Sequence, residues 1–280
     1  MMENIEDFVR FLKKNQYNLI KQFTKLPDDL TEDTYLHSDI CSSRDRFSNI
    51  KTSDNNMIDL STGYFNGSYI LGNKYIATQQ PVLKYIDHFW TMIIETGSKI
   101  IVNLTGSNVY LGYYTKFNIV KQDYYEDTLL DIKKLLINNE QQVFYICFKR
   151  WIDHSIPEPD ELEKLLLTLS ICKINGPITI HCKAGVGRTG TLILIHHILE
   201  ELKQNKYCDP IDIVKEMRKC RSGMIQGCEQ FNFAINYILK KVKVKQVGRK
   251  NLTSSSDSSC GRQFLKNSMS LTGSLDNLHI

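Results

Sequence analysis

The sequence predicts an α/β protein, on three observations. Short apolar runs of strand length alternate along the chain with longer stretches whose apolar residues recur at helical spacing. One of these runs, Ile178 to His181, passes at once into a glycine-rich turn and then into a strongly apolar helix from about Thr189 to Lys203. Hydrophobic residues make up 42% and charged residues 24% of the 280 positions, which supplies a sizeable core and excludes a disordered, collagenous or coiled-coil chain.

From the start, Phe8, Val9, Phe11, Leu12, Leu19, Ile20 and Phe23 lie among Lys and Asn at near-helical spacing, predicting one or two amphipathic helices in the first 25 residues. Asp39 to Gly67 is rich in Ser, Asn, Asp and Gly and reads as loops, of a length that tends to carry function. Tyr69 to Ala77 reads as strand, Tyr85 to Glu95 as helix and Lys99 to Leu104 as a short apolar strand. Glu126 to Ile137 fits helix or strand, and Val143 to Phe148 reads as a buried strand. Pro159 to Ile174 is an amphipathic helix with Glu161 and Glu163 near its start, stopped by Gly176-Pro177. Pro210 to Lys219 and Gln230 to Lys240 are the last two helices. The domain is expected to span residues 1–245. Residues 246–280 are Ser-rich with almost no aromatics; they cannot bury enough apolar surface to offset their ordering entropy and are expected to form a disordered tail.

The net charge of +4 is too small to imply a nucleic-acid partner. It is also unevenly placed, because Lys240 to Ile280 holds eight Lys/Arg against two Asp and leaves a net −2 on the remainder. Anion binding in the body must therefore come from local devices. No apolar run approaches the roughly 18 residues of a membrane span, and Met1 to Arg10, with Glu3, Glu6 and Asp7, lacks the basic-then-apolar order of a signal peptide. The expectation is a cytoplasmic chain compatible with a monomer. Its eight cysteines show no metal-ligand spacing and read as reduced thiols, with no cofactor or metal implied.

The chemistry lies in His181-Cys182-Lys183-Ala184-Gly185-Val186-Gly187-Arg188-Thr189-Gly190. A strand entering such a turn ahead of a helix lets consecutive backbone N–H groups, from Lys183 through Gly187, converge on one point and form an anion cradle. The same dipoles, with Arg188, favour the thiolate of Cys182, so nucleophile and phosphate share one electrostatic site. Arg188 has the planar fork to hold two phosphate oxygens. Displacing an oxygen from phosphorus also needs a proton for the leaving group. Asp153, in Trp151-Ile152-Asp153-His154 on a loop that the tryptophan can anchor as a lid, is the candidate acid.

These residues resemble the tyrosine-specific protein tyrosine phosphatases, over roughly residues 30 to 240. The resemblance implies a single phosphatase domain with a twisted mixed sheet flanked by helices. It implies that Cys182 attacks phosphotyrosine, that Asp153 protonates the phenol, and that Thr189 bonds to the cysteine sulfur and eases its departure. Gln226 and Gln230, in the segment from Arg221 to Phe231, resemble the family's glutamine loop, where Gln226 would position the hydrolytic water. Arg44 to Ile50 resembles the loop that holds the phosphotyrosine ring and the peptide backbone; Phe47 stands where Tyr is usual and can still stack. Thr78-Gln79-Gln80-Pro81 and Phe89-Trp90 resemble buried scaffold segments.

Four differences set the chain apart from the family pattern. Ile152 replaces the lid proline, Asn49 an Asp that binds the substrate backbone, and Gln80 a glycine. The stretch from Leu104 to Trp151 lacks a Lys-Cys-x-x-Tyr-Trp segment. The shortened, drifted pattern is similar to that of phosphatases carried by bracoviruses of parasitoid wasps. The expected function is hydrolysis of phosphotyrosine in proteins through a cysteinyl-phosphate. The alternatives are a module that captures phosphotyrosine proteins with little turnover and, below it, a broader phosphatase, against which the Phe47 loop argues because it implies a deep aromatic slot.

Overall fold

The computed structural model describes residues 4–172 and 175–254, with side chains through residue 243. The N-terminal segment is one helix, α1 (Ile5–Lys25); the Asn4 side chain caps it by accepting from Asp7 N, and Phe8, Val9, Leu12, Leu19 and Phe23 form its buried stripe. A short helix α2 (Leu36–Ile40) and two 3₁₀ turns punctuate the loop region. The single strand expected over 69–77 is a hairpin, β1 (Gly67–Ile70) and β2 (Tyr75–Gln79), because Leu71, Gly72 and Asn73 all take positive φ and turn the chain. Helix α3 (Ile86–Glu95) and β3 (Ile100–Asn103) follow as expected.

After β3 runs an antiparallel meander of β4 (Ile119–Glu126), which the sequence leaves unassigned, β5 (Leu130–Ile137), within the segment that fits helix or strand, and β6 (Gln141–Phe148), the buried strand expected over 143–148. The ambiguous segment is therefore strand, and Asn138 and Asn139 at positive φ make its turn into β6. Helix α4 (Pro159–Ile171) ends earlier than Ile174, and residues 173 and 174 lie outside the described residues. Then come β7 (Ile178–Cys182), α5 (Gly187–Lys203), α6 (Pro210–Cys220) and α7 (Cys228–Ser254). Helix α7 passes through the boundary expected at residue 245, and residues 255–280 of the expected tail lie outside the described residues.

The strands form one mixed seven-stranded sheet, ordered β1-β2-β7-β3-β6-β5-β4. Its centre, β2, β7, β3 and β6, is parallel. Alternate side chains enter two cores on opposite faces. Ala77, Val102, Ile146 and Ile180 pack toward α1, α4, α5, α6 and α7, whereas Ile76, Ile101 and Tyr145 pack toward α3, where Phe89 and Trp90 are fully buried. With four neighbouring strands parallel, the segments after Gln79, Asn103, Phe148 and Cys182 all emerge along one edge. In open α/β sheets that edge is where ligand sites form.

Candidate active site

The turn after Cys182 is held from outside by its carbonyls. Gln80 N donates to Lys183 O at 3.0 Å, while Arg221 donates from Nη2 to Ala184 O and from Nε to Gly185 O, each at 3.0 Å. Every described peptide is trans, and in a trans peptide the N–H points opposite to the C=O. The N–H groups of Ala184, Gly185 and Val186 are therefore turned inward. Gly185 N points at the Cys182 sulfur from 3.3 Å. Gly185 sits at φ +72°, and a Cβ there would lie 2.2 Å from Thr78 O, so only glycine lets the turn close on the end of β2.

Cys182 and Val186 are buried, and His181 beneath them is a packing residue. Its ring faces Tyr110 OH at 2.9 Å, and burial, helped by the Arg188 charge, pushes it down to about 3, so it is neutral. Burial pushes the Cys147 and Cys172 thiols up to about 11. The Cys182 sulfur accepts from the inward-turned Gly185 amide.

Arg188, in the first turn of α5, is 3% exposed. Its Nη1 is anchored to Leu104 O at 2.8 Å and Trp151 O at 2.7 Å, the segments after β3 and β6. The other edge of the fork is different. Nη2 donates to Asp153 Oδ1 at 2.7 Å, and Nε is buried with no partner among the described residues. Lys183 Nζ pairs with Asp153 Oδ2 at 3.2 Å. Burial opposes ionisation of Asp153, but Arg188 and Lys183 outweigh it and hold the carboxyl below its usual range.

The lid loop is pinned by buried Trp151, whose Nε1 donates to Ser155 O at 2.9 Å, and it turns through His154 at φ 59°. Ile152, at the lid-proline position, is 74% exposed. On the opposite side, Ile225 N donates to Val186 O at 3.2 Å and brings the glutamines against the cradle. Gln230 Oε1 accepts from Gln226 N at 3.3 Å, and Gln230 Nε2 approaches Ser155 O of the lid at 3.4 Å. A Cβ on Gly187 would meet Gln226 Oε1 at 2.5 Å.

The Phe47 loop is stitched to the same edge. Arg46 donates from its N to Gln79 Oε1, and from Nε and Nη2 to the carbonyls of Gln80 and Pro81; Gln79 Nε2 donates to Arg44 O. Phe47 and Asn49 are exposed on it, and neither is hydrogen-bonded to the cradle. One bond implied by the resemblance is not made. The Thr189 hydroxyl is buried without a partner among the described residues, and the Cys182 sulfur accepts from Gly185 N instead. Sequence reasoning missed Arg221, buried at 1% exposure, because a lone arginine after a helix carries no signal of which carbonyls it will hold. Among the described residues no group of three or more His, Cys, Asp or Glu is placed to hold a metal, and no helix is long and apolar enough to cross a membrane.

A mixed sheet whose strand β7 ends in a turn with inward amides around a thiol, followed by a helix with a buried arginine in its first turn, defines an α/β protein built around a cysteine turn. Comparison with known proteins places it more closely. The protein-tyrosine phosphatase family model matches residues 41–240. The chain is 29% identical to mouse tyrosine-protein phosphatase non-receptor type 20 over 81% of its length and 61% of the relative's. It is 31% identical to mouse tyrosine-protein phosphatase non-receptor type 7 over 77% of its length and 68% of that protein's. With tyrosine-protein phosphatase 2 of Dictyostelium discoideum it shares 32% identity over 66% of this chain and 58% of the other. The chain belongs to the protein-tyrosine phosphatase family, and it spans about three fifths of the first of these curated relatives.

Proposed function

We propose that the protein hydrolyses phosphotyrosine in proteins through a cysteinyl-phosphate intermediate. The observation that carries this reading is the buried Arg188 fork in the first turn of α5, the helix that follows the Cys182 turn. Its Nη1 is committed to two carbonyls, while among the described residues buried Nε has no partner and adjacent Nη2 is held by Asp153 alone. That edge matches two oxygens of a phosphate monoester. The inward amides of Ala184, Gly185 and Val186 supply further donors, and the turn from Lys183 to Gly187 forms the wall.

In the first step the sulfur attacks phosphorus, the bond from phosphorus to the phenolic oxygen breaks, and protonated Asp153 gives that oxygen its proton. In the second step Gln226 orients a water, Asp153 takes its proton as the water oxygen bonds to phosphorus, and the P–S bond breaks, returning the electron pair to sulfur, as Thr189 turns its hydroxyl toward it. Gln230 steadies Gln226 through the backbone. Phe47 stacks on the substrate ring and Asn49 accepts from the peptide backbone.

Hydrolysis of a phosphotyrosine peptide under reducing conditions, wild type against Cys182→Ser, tests the reading. Turnover is expected only with the cysteine; a serine variant working at the wild-type rate refutes it. Wild-type protein that holds the phosphopeptide for many minutes without releasing phosphate supports capture instead.

A further inference from the structure

Lys183 follows the nucleophile directly, yet its side chain leaves the cradle for the lid. Nζ lies 3.2 Å from Asp153 Oδ2, while Oδ1 receives Arg188 Nη2 at 2.7 Å. Each carboxylate oxygen thus has its own cation, and His154 is the remaining charged or titratable group facing it. The two cations are not equivalent. Arg188 is buried and its Nε–Nη2 edge is the one a phosphate needs; the Lys183 side chain is 55% exposed and, among the described residues, bonds to Asp153 alone. A phosphate monoester seated on Arg188 takes Nη2 from Asp153 and leaves Lys183 as the lid carboxyl's remaining cationic partner.

We propose that Lys183 is a positioning residue of the lid, holding Asp153 over the cradle once substrate has taken Arg188 and setting the pH at which Asp153 can donate its proton. This rests on the phosphatase reading above. An ammonium beside a carboxylate favours the ionised form. It therefore opposes the protonated Asp153 required for leaving-group departure and favours the carboxylate required to activate water. Lys183 assists the second step at the expense of the first.

The test is the pH profile of kcat for an aryl phosphate in wild type, Lys183→Met and Lys183→Arg. Because the pair is partly exposed, the descending alkaline limb is expected to move up by about 0.5–1 pH unit in the methionine variant. The arginine variant restores it, and KM changes by less than about twofold because the side chain does not reach the phosphate. A limb that stays in place, or a raised KM with the limb in place, overturns the proposal and makes Lys183 a substrate anchor. A second readout needs no turnover: the Asp153 carboxyl ¹³C titration in the free protein moves up in Lys183→Met. If it does not move, the proposal fails whatever the enzyme activity. The Cys182→Ser comparison separately decides the phosphatase reading.

Discussion

Arg221 holds Gly185 from beneath the cradle, its buried Nε donating to the Gly185 carbonyl at 3.0 Å. The same guanidinium reaches Ala184 O and Asn66 Oδ1, and Asn66 Nδ2 donates to Asp45 Oδ1 at 3.0 Å. Asp45 belongs to the Phe47 loop and also accepts from Ser38 and Tyr64. One buried chain of bonds thus ties the cradle to the expected substrate loop. Replacing Arg221 with Met leaves the Ala184 and Gly185 carbonyls and the Asn66 oxygen without their donor, at a cost of about 2–4 kcal/mol. Urea unfolding should report that loss. Lysine recovers only part of it, since one ammonium cannot reproduce the planar fork. Full stability in Arg221→Met would mean the turn keeps its shape unaided.

Gly185 and Gly187 separate the cradle's shape from its second step. A Cβ at Gly185 meets backbone, Thr78 O at 2.2 Å, in a left-handed conformation. Gly185→Ala should unfold or badly misshape the turn. A Cβ at Gly187 meets the Gln226 side-chain oxygen at 2.5 Å, which can swing aside. Gly187→Ala should stay folded within about 1–2 kcal/mol of wild type and release a stoichiometric burst of phenol before slow turnover. Rapid-quench kinetics would detect the burst. If the loss instead falls on the burst itself, Gly187 acts in the first step.

The cradle was legible because its residues are consecutive: a strand, three glycines and an arginine within ten positions need no long-range knowledge. The parallel core strands were legible for a related reason, since burial on both faces leaves unbroken apolar runs such as Ile100 to Val102 and Val143 to Ile146. Strand β4 was not, because it is a sheet edge with Lys121, Gln122 and Tyr124 exposed, and it carries little apolar signal. Arg221, Tyr110 and the Lys183 side chain were illegible for a different reason. Each acts on a partner distant in the chain or across a turn, and the residue type does not say which.

His181 makes a stability prediction with a definite sign. Folding depresses its pKa from about 6.5 to about 3, because burial disfavours the charged ring. The native state then binds fewer protons than the unfolded chain between these values. The contribution is complete above about pH 6.5 and is lost progressively as pH falls toward 3. Two units below the unfolded value, near pH 4.5, the loss is roughly 2–3 kcal/mol. His196, pushed down to about 4 mainly by burial, adds in the same direction. Comparing unfolding free energies at pH 7 and pH 4.5 in wild type and His181→Asn should show a smaller acid penalty in the variant, even if it is less stable at pH 7. An equal penalty would place the acid sensitivity elsewhere.

Asp153 competes with a phosphate for Arg188 Nη2, which it holds at 2.7 Å. Asp153→Ala therefore has two effects of opposite sign. It removes the proton donor, which should lower kcat by about 10²–10⁴-fold, and it frees the Nε–Nη2 edge, which should lower KM. The kcat loss depends on how much the leaving oxygen needs the proton. A tyrosine-like phenol, with a pKa of about 10, should suffer the full loss, and a nitrophenol that leaves as a stable anion should suffer much less. Steady-state kinetics on a series of aryl phosphates measures both. An equal loss across the series would mean that Asp153 acts on lid closure and that the proton comes from another group.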